Sequence, residues 1–144
     1  MFRHGADAHG RVLNTGEDRP GIGVPLVTLD AVVSGGVSAL KIDVEGFEME
    51  VLAGAERILA DPQLMIVVIE INDSGHLYGH TDREVRTALL DAGFVEAAYD
   101  PRERDLRAGM PAERAENSIF VRDVGHVAAL VAAAPVLTAG PWRL

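Results

Sequence analysis

The fold of this 144-residue chain is decided first by the run Leu64-Met65-Ile66-Val67-Val68-Ile69-Glu70-Ile71. It is the strongest strand signal in the sequence, because β-branched residues dominate it and Glu70 alone interrupts its apolar character. A second largely apolar run, residues 37–44, also lacks the polar alternation of a half-exposed strand. Such runs are typical of strands buried on both faces, as in a parallel sheet covered by helices.

Helical periodicity lies between and after these two runs. Apolar residues recur at helical spacing over residues 47–59, and Asp61-Pro62 then ends the predicted helix, because the residue before proline is disfavoured in helical conformation. Thr81 and Glu84 have the spacing of a capping box, which predicts the start of another helix. Gly93 supplies the expected stop of that helix.

The remaining patterned segments are shorter. Val24–Asp30 is predicted to form an edge strand, since Pro25 is tolerated there, and Asp30 is predicted to cap a short helix after it. Two further strands are predicted at Phe94–Tyr99 and Ser118–Val121, with a long charged loop between them. Residues 124–137 are predicted to form either a helix or an apolar tail.

The resulting order is strand–helix–strand–helix–strand–helix–strand–strand. Alternation of this kind predicts an α/β fold with a mostly parallel sheet and an antiparallel strand pair at one edge, towards the C-terminal end. Residues 1–23 are polar, glycine-rich and unpatterned, so we expect an irregular N-terminal segment followed by one α/β domain over residues 24–144.

Composition excludes several classes of protein. The chain has 22 acidic and 13 basic residues, a net charge of −9, which argues against nucleic acid or an anionic membrane surface as the main partner. It has no cysteine, and therefore no disulfide, thiolate nucleophile or zinc–thiolate site. Without a signal-like leader or an apolar stretch of about 18 residues, it is predicted to be cytoplasmic.

Candidate site residues follow the two strongest strands, because ligands in open α/β sheets bind beyond the carboxyl ends of the strands. Asp43 and Glu45 follow the first of these strands, and Glu70 and Asn72 lie at the end of the second. These carboxylates could hold a metal ion, accept a hydroxyl proton or grip a cofactor. Asp43 could instead simply cap the next helix.

Two further pairs of polar residues bear on the site. Glu48 and Glu50 are predicted to be solvated helix positions. His76 and His80 are four residues apart in the loop after the second strand, but nearby glycines argue against a regular helix there. A pH-titrating role or a contact with substrate is therefore predicted for both histidines, in preference to a metal site.

Four blocks of the sequence together resemble the FkbM family of S-adenosylmethionine-dependent methyltransferases. The resemblance rests on their residues, order and spacing: Val24-Pro25-Leu26-Val27-Thr28-Leu29-Asp30, Leu40-Lys41-Ile42-Asp43-Val44-Glu45-Gly46-Phe47-Glu48, Val51-Leu52-Ala53-Gly54-Ala55 and Val67-Val68-Ile69-Glu70-Ile71. It extends over roughly residues 24–121 and implies a class I methyltransferase (Rossmann-like) fold.

The resemblance also implies methyl transfer from S-adenosylmethionine to oxygen, often on a sugar or secondary-metabolite hydroxyl. Asp43 and Glu45 correspond to an acidic pair beside the transferred methyl group, and Glu70 is carried over on a weaker match. The family's cofactor turn, of the type Asp-x-Gly-x-Asn-x-Gly, does not occur in residues 1–23. The chain thus resembles the carboxyl-terminal part of such an enzyme, and its cofactor-binding residues stay unassigned.

Without earlier strands, the strand around residues 40–44 would have an unpaired apolar edge, which predicts self-association. Two other functions remain open at this point. One is a non-catalytic remnant or interaction module. The other is a magnesium-dependent hydrolase that uses Asp43, Glu45 and Glu70 as oxygen ligands.

Overall fold

The computed structural model describes residues 10–14, 16–18, 20–109, 117–135, 138–139 and 142–143. Its helices are α1 (Leu29–Val32), α2 (Glu48–Ala53), α3 (Glu56–Ala60), α4 (Asp82–Asp91) and α5 (Val124–Ala133), with a 3-10 helix at Ser74–Tyr78. Its strands are β1 (Ala39–Ile42), β2 (Ile66–Glu70), β3 (Val95–Asp100), β4 (Asp105–Ala108), β5 (Asn117–Val121), β6 (Thr138–Ala139) and β7 (Trp142–Arg143).

Five strands form one open sheet in the order β1-β2-β5-β3-β4, and β6 pairs with β7 separately. β1 and β2 are parallel, whereas β2–β5, β5–β3 and β3–β4 are antiparallel. The α/β class is therefore confirmed, but the prediction of a mostly parallel sheet is wrong. The reason is topological: after the β3–β4 hairpin the chain returns as β5, which enters the sheet between β2 and β3 in the opposite direction.

The antiparallel pairing of the last two predicted strands is confirmed, because Val95 lies opposite Val121 in the β3–β5 register. Their predicted place at the edge is wrong, since β4 forms that edge and β5 lies inside the sheet. β4 was missed because its sequence, Asp105-Leu106-Arg107-Ala108, has one buried residue, Leu106, which gives almost no hydrophobic pattern.

The helix predicted over residues 47–59 forms as two short helices, α2 and α3, with Gly54 at the end of α2. The capping box is confirmed at the start of α4, where the Thr81 hydroxyl accepts from the Glu84 N–H and the Glu84 carboxylate accepts from the Thr81 N–H. Gly93 follows α4 with φ +86°, a conformation that glycine adopts without strain.

The edge strand predicted at Val24–Asp30 is not formed. Its apolar side chains are largely exposed, with Val24 and Leu26 each 76% accessible, and none of the described strands pairs with this segment. Thr28, and not Asp30, caps α1. The Asp30 carboxylate instead accepts hydrogen bonds from the N–H groups of Arg57 and Ile58, so it caps the start of α3 from a distance in sequence.

The chain termini bear on two further predictions. In the part of the N-terminal segment that the structure describes, residues 10–14, 16–18 and 20–23 form no helix or strand, while residues 1–9 lie outside the described residues. A helix and an apolar tail were the two alternatives predicted for residues 124–137. The structure has a helix, α5, as far as Ala133, and residues 136–137 lie outside the described residues.

The core occupies both faces of the sheet. On one face, α2, α3 and α4 bury a cluster that includes Ile42, Ile69 and Phe120. On the other face, α5 contributes Val127 to a smaller cluster with Val121. Phe120 and Val121 are consecutive in β5 and belong to different clusters, as expected when successive strand side chains point to opposite faces.

Among the described residues, no helix has the length and apolar character needed to cross a membrane.

Candidate functional site

The site begins at the turn that follows β1. Asp43 and Glu45 lie in this turn, where Glu45 and Gly46 have positive φ angles of +51° and +103°. Gly46 packs directly on the 3-10 helix, and a Cβ at this position would lie 2.5 Å from the Ser74 carbonyl oxygen. The turn therefore needs glycine for both its conformation and its close approach to the segment after β2.

The sheet register brings the third acidic residue to this turn. Ile42 lies opposite Ile69 in the parallel β1–β2 pair, so the strand ends place Asp43 beside Glu70. One carboxylate oxygen from each of Asp43, Glu45 and Glu70 lies within 4.8 Å of the others. Asp43 is exposed, whereas Glu45 and Glu70 are half-buried.

The charges in this cluster interact strongly. The pKa of Glu70 is raised above its usual range, first because its side chain shares a hydrogen bond with Asp43, then because it is partly desolvated and faces the charges of Asp43 and Glu45. Lys41 opposes the shift, and its Nζ lies 3.2 Å from Asp43 Oδ2. The cluster can therefore share a proton between carboxyl groups, or bind a cation through oxygen ligands.

The alternative of a simple helix cap does not describe Asp43. The N-cap residue of α2 is Phe47, whose side chain makes no capping hydrogen bond. Asp43 instead belongs to the carboxylate cluster.

The structure brings one of the three other predicted site residues into contact with the cluster. Asn72 is exposed and its Nδ2 donates to Glu70 Oε1 at 3.3 Å. His76 is also exposed, and its Nδ1 contacts the Asp73 carbonyl oxygen. His80 is half-buried and its Nε2 lies 3.0 Å from Glu50 Oε1. The two histidines thus contact different groups.

The prediction that Glu48 and Glu50 are solvated is wrong. Glu48 is 4% exposed, and its carboxylate accepts a hydrogen bond from the Gly46 N–H at 3.0 Å. It therefore holds the turn that carries Asp43 and Glu45. Glu50 is half-buried against His80. Helical periodicity assigned both residues to the outer face of a longer helix. The contacts that restrict their exposure are made by the preceding turn, for Glu48, and by His80, thirty residues further along the chain, for Glu50.

A groove of about 470 Å³ opens beside Asp43. Asp43 and Val44 form one wall, and the N-terminal segment forms the other through Arg11, Leu13 and Ile22. The N-terminal segment is held in place partly by Asn14, whose Nδ2 donates to the Leu77 carbonyl oxygen at 2.6 Å. A small organic molecule could therefore reach the acidic cluster between these two walls.

Comparison with known families then gives a match over the part of the chain that carries the site. The methyltransferase FkbM domain family matches residues 3–96, which include Asp43, Glu45 and Glu70. The chain belongs to this family. The match begins nearer the N-terminus than the sequence resemblance does, and it ends in β3. No curated protein and no solved structure matches the chain.

The described residues of this FkbM domain do not by themselves fit S-adenosylmethionine, the cofactor of the family resemblance. The sequence contains no Asp-x-Gly-x-Asn-x-Gly turn, and β1 is the first strand of the described chain. A glycine-rich turn of this type after an earlier strand is thus not among the described elements. These residues supply an acidic cluster and a groove.

Proposed function

We propose that this FkbM domain acts in methyl transfer to oxygen, with a sugar or secondary-metabolite hydroxyl as the acceptor. The observation that carries the proposal is the convergence of Asp43, Glu45 and Glu70 at the carboxyl ends of two adjacent parallel strands. The family membership supplies the reaction class, and the groove beside Asp43 offers space for an acceptor.

In this proposal Asp43 accepts a hydrogen bond from the acceptor hydroxyl and takes its proton, which leaves the oxygen able to accept a methyl group. A sulfonium donor would supply that methyl group, and its sulfur would leave as a neutral thioether. Glu45 lies beside Asp43 and keeps the hydroxyl oriented. The raised pKa of Glu70 supports a role for this residue as the group that shares the proton with Asp43. General-base help of this kind is worth about 10²–10⁴-fold in rate.

The acceptor would also meet the polar residues that follow β2. We assign substrate contacts to Asn72, His76 and His80, because they lie on the short segment that leaves the acidic cluster. S-adenosylmethionine is the methyl donor implied by the family, and the proposal assigns none of the described residues to its binding.

The experiment is methyl transfer from radiolabelled S-adenosylmethionine to a panel of methyl glycosides, preceded by calorimetric titration of the cofactor alone. Asp43→Asn and Glu45→Gln are expected to reduce transfer by about 10²-fold or more. Glu103→Gln is the matched control, because Glu103 is exposed in the β3–β4 turn. Full activity in Asp43→Asn and Glu45→Gln would contradict the assignment.

The absence of cofactor binding would favour the alternative of a non-catalytic remnant or interaction module. No heat of binding up to about 1 mM S-adenosylmethionine, equivalent to binding weaker than about −4 kcal/mol, would show that the chain does not bind the donor by itself.

A magnesium-dependent hydrolase is the second candidate, and it is favoured by three carboxylate oxygens that all lie within 4.8 Å of one another. Magnesium takes oxygen ligands, commonly one or two carboxylates together with water or substrate oxygens. This candidate predicts a higher melting temperature in magnesium chloride and no response to S-adenosylmethionine. Glu70→Gln should remove the magnesium effect, and Glu103→Gln should not.

A further inference from the structure

Ser74, the first residue of the 3-10 helix, makes contacts toward both halves of the acidic cluster. Its carbonyl oxygen lies against Gly46, 2.5 Å from the position that a Cβ would take there. Its N–H and its hydroxyl group both donate to Asn72 Oδ1, the N–H at 3.1 Å. Asn72 in turn donates to Glu70. One half-buried residue therefore connects the turn after β1 with the end of β2.

The two Ser74 donors fix the orientation of the Asn72 amide. The backbone N–H of Ser74 can only donate, so the amide oxygen must face Ser74, and the amide nitrogen is the group left for Glu70. That nitrogen lies 3.3 Å from Glu70 Oε1 and donates to it. Because the nitrogen carries two N–H groups, this bond leaves one for the acceptor contact proposed above. Ser74 thus determines which group of Asn72 the Glu70 carboxylate meets.

Contacts on both sides hold Ser74 itself in place. Asp73, directly before it, has a φ angle of +67°, in the left-handed region that aspartate enters more readily than most residues. The Asp73 N–H donates at 2.9 Å to Oδ1 of Asp82, the first residue of α4. Tyr78, at the end of the 3-10 helix, places its ring 5.1 Å from that of Phe47, the N-cap residue of α2, measured between centroids. The 3-10 helix is therefore tied to two helices that pack in the core.

We propose that Ser74 is a positioning residue for the acidic cluster. It sets the distance between the turn that carries Asp43 and the carboxylate of Glu70, and through Asn72 it sets the orientation of that carboxylate. The inference deepens the methyl-transfer function proposed above and rests on it for the effect on rate, whereas the effect on Glu70 is independent of any reaction. Because Ser74 touches neither acceptor nor donor, its loss changes the chemical step and leaves acceptor binding unchanged.

The first test is the carboxyl carbon signal of Glu70, measured by NMR spectroscopy on the whole chain at pH 7.5 and identified by its loss in Glu70→Gln. Ser74→Ala removes the hydroxyl donor and is expected to shift this signal. Ser74→Thr keeps a hydroxyl group and should return the signal towards its wild-type position. Ser34→Ala is the matched control, because Ser34 is exposed in the loop after α1, and no shift is expected. Circular dichroism verifies that each variant folds.

Asn72→Ala keeps the proposal testable if Ser74→Ala fails to fold. Asn72 is exposed, and its truncation removes the whole hydrogen-bonded connection between Ser74 and Glu70. The Glu70 signal is therefore expected to shift further in Asn72→Ala than in Ser74→Ala. The double variant should shift it no further than Asn72→Ala does, because two residues that act through one another are not additive. Additive shifts would overturn the connection through Asn72.

The second test is methyl transfer, with kcat and KM measured separately. Ser74→Ala is expected to lower kcat about tenfold with KM unchanged, and Ser74→Thr to restore kcat. An unchanged Glu70 signal or an unchanged kcat in Ser74→Ala would overturn the positioning role, even where Asp43→Asn abolishes transfer. If the Glu70 signal responds as expected and the wild-type chain transfers no methyl group, the positioning role stands and the proposed function fails.

Discussion

The guanidinium of Arg122 lies over the ring of Phe94, with Cζ 4.3 Å from the ring centroid. The same guanidinium donates to three carbonyl oxygens, those of Leu59, Leu64 and Ala92. Two of these carbonyls are at the ends of α3 and α4, where a cation is favoured by the helix dipole. Arg122, which follows β5, therefore links the ends of two helices to the residues just before β2 through its hydrogen bonds.

Arg122→Met is expected to destabilise the fold by about 3 kcal/mol, because it leaves several carbonyl groups without their donor and removes the cation–π contact. Urea denaturation followed by circular dichroism measures this loss. Arg83→Met is the control, since Arg83 is exposed on α4, and we expect a change within about 0.5 kcal/mol. Equal effects of the two substitutions would contradict the role given to Arg122.

Gly46→Ala is expected to destabilise the fold by about 2–4 kcal/mol, because the added Cβ would meet the backbone carbonyl of Ser74 as well as the strain of a positive φ. Gly79→Ala isolates the second effect. Gly79 has φ +85° and no atom within 4 Å of its Cβ position, so about 1–2 kcal/mol is expected. Thermal unfolding should therefore give Gly46→Ala a lower melting temperature than Gly79→Ala. The reverse order would be evidence against a close contact between the Gly46 turn and the Ser74 carbonyl group.

Glu70→Gln is expected to raise the melting temperature at pH 7.5 and to lose this advantage at pH 4. The pKa of Glu70 is raised in the fold above its ordinary value of 4.5, so the folded chain holds the proton more tightly than the unfolded chain. The stabilisation that the fold gains from this tighter proton binding is fully present below pH 4.5. It is lost as the pH rises through the pKa of Glu70 in the folded chain. Glutamine mimics the protonated group at every pH.

Scanning calorimetry across this pH range measures the effect of Glu70→Gln, with Glu103→Gln as the control for the loss of one negative charge. A stabilisation that is the same at pH 4 and pH 7.5 would show that the carboxylate cluster does not cause it.

Thr81→Ala is expected to cost about 1 kcal/mol at pH 7, because α4 loses its N-cap hydroxyl. The pKa of Glu84 is lowered by hydrogen bonds from the Thr81 side chain and backbone, so this carboxylate contributes stability above its ordinary pKa of 4.5. That contribution is lost as the pH falls through the lowered folded pKa. The difference in melting temperature between wild type and Thr81→Ala should therefore shrink in acid, and a difference that grows would be inconsistent with the capping box.

Much of the local structure was predictable from sequence. At these positions the hydrophobic pattern and the capping residues of a segment indicated the same element that burial stabilises in the fold. The run around Val67 and the capping box at Thr81 specify a central strand and a helix start without help from distant residues. The carboxylates at Asp43 and Glu70 were also found from sequence, since they directly follow the two buried strands. Family membership followed from the same blocks.

The tertiary structure alone decided three other features. It placed β5 between β2 and β3, a choice that depends on long-range pairing and not on the periodicity of residues 117–121. It pairs residues 24–28 with none of the described strands, and it buries Glu48 beside the turn that this residue stabilises. Local patterns report which faces of a segment are apolar, whereas the partner that covers each face is selected only when the whole chain packs.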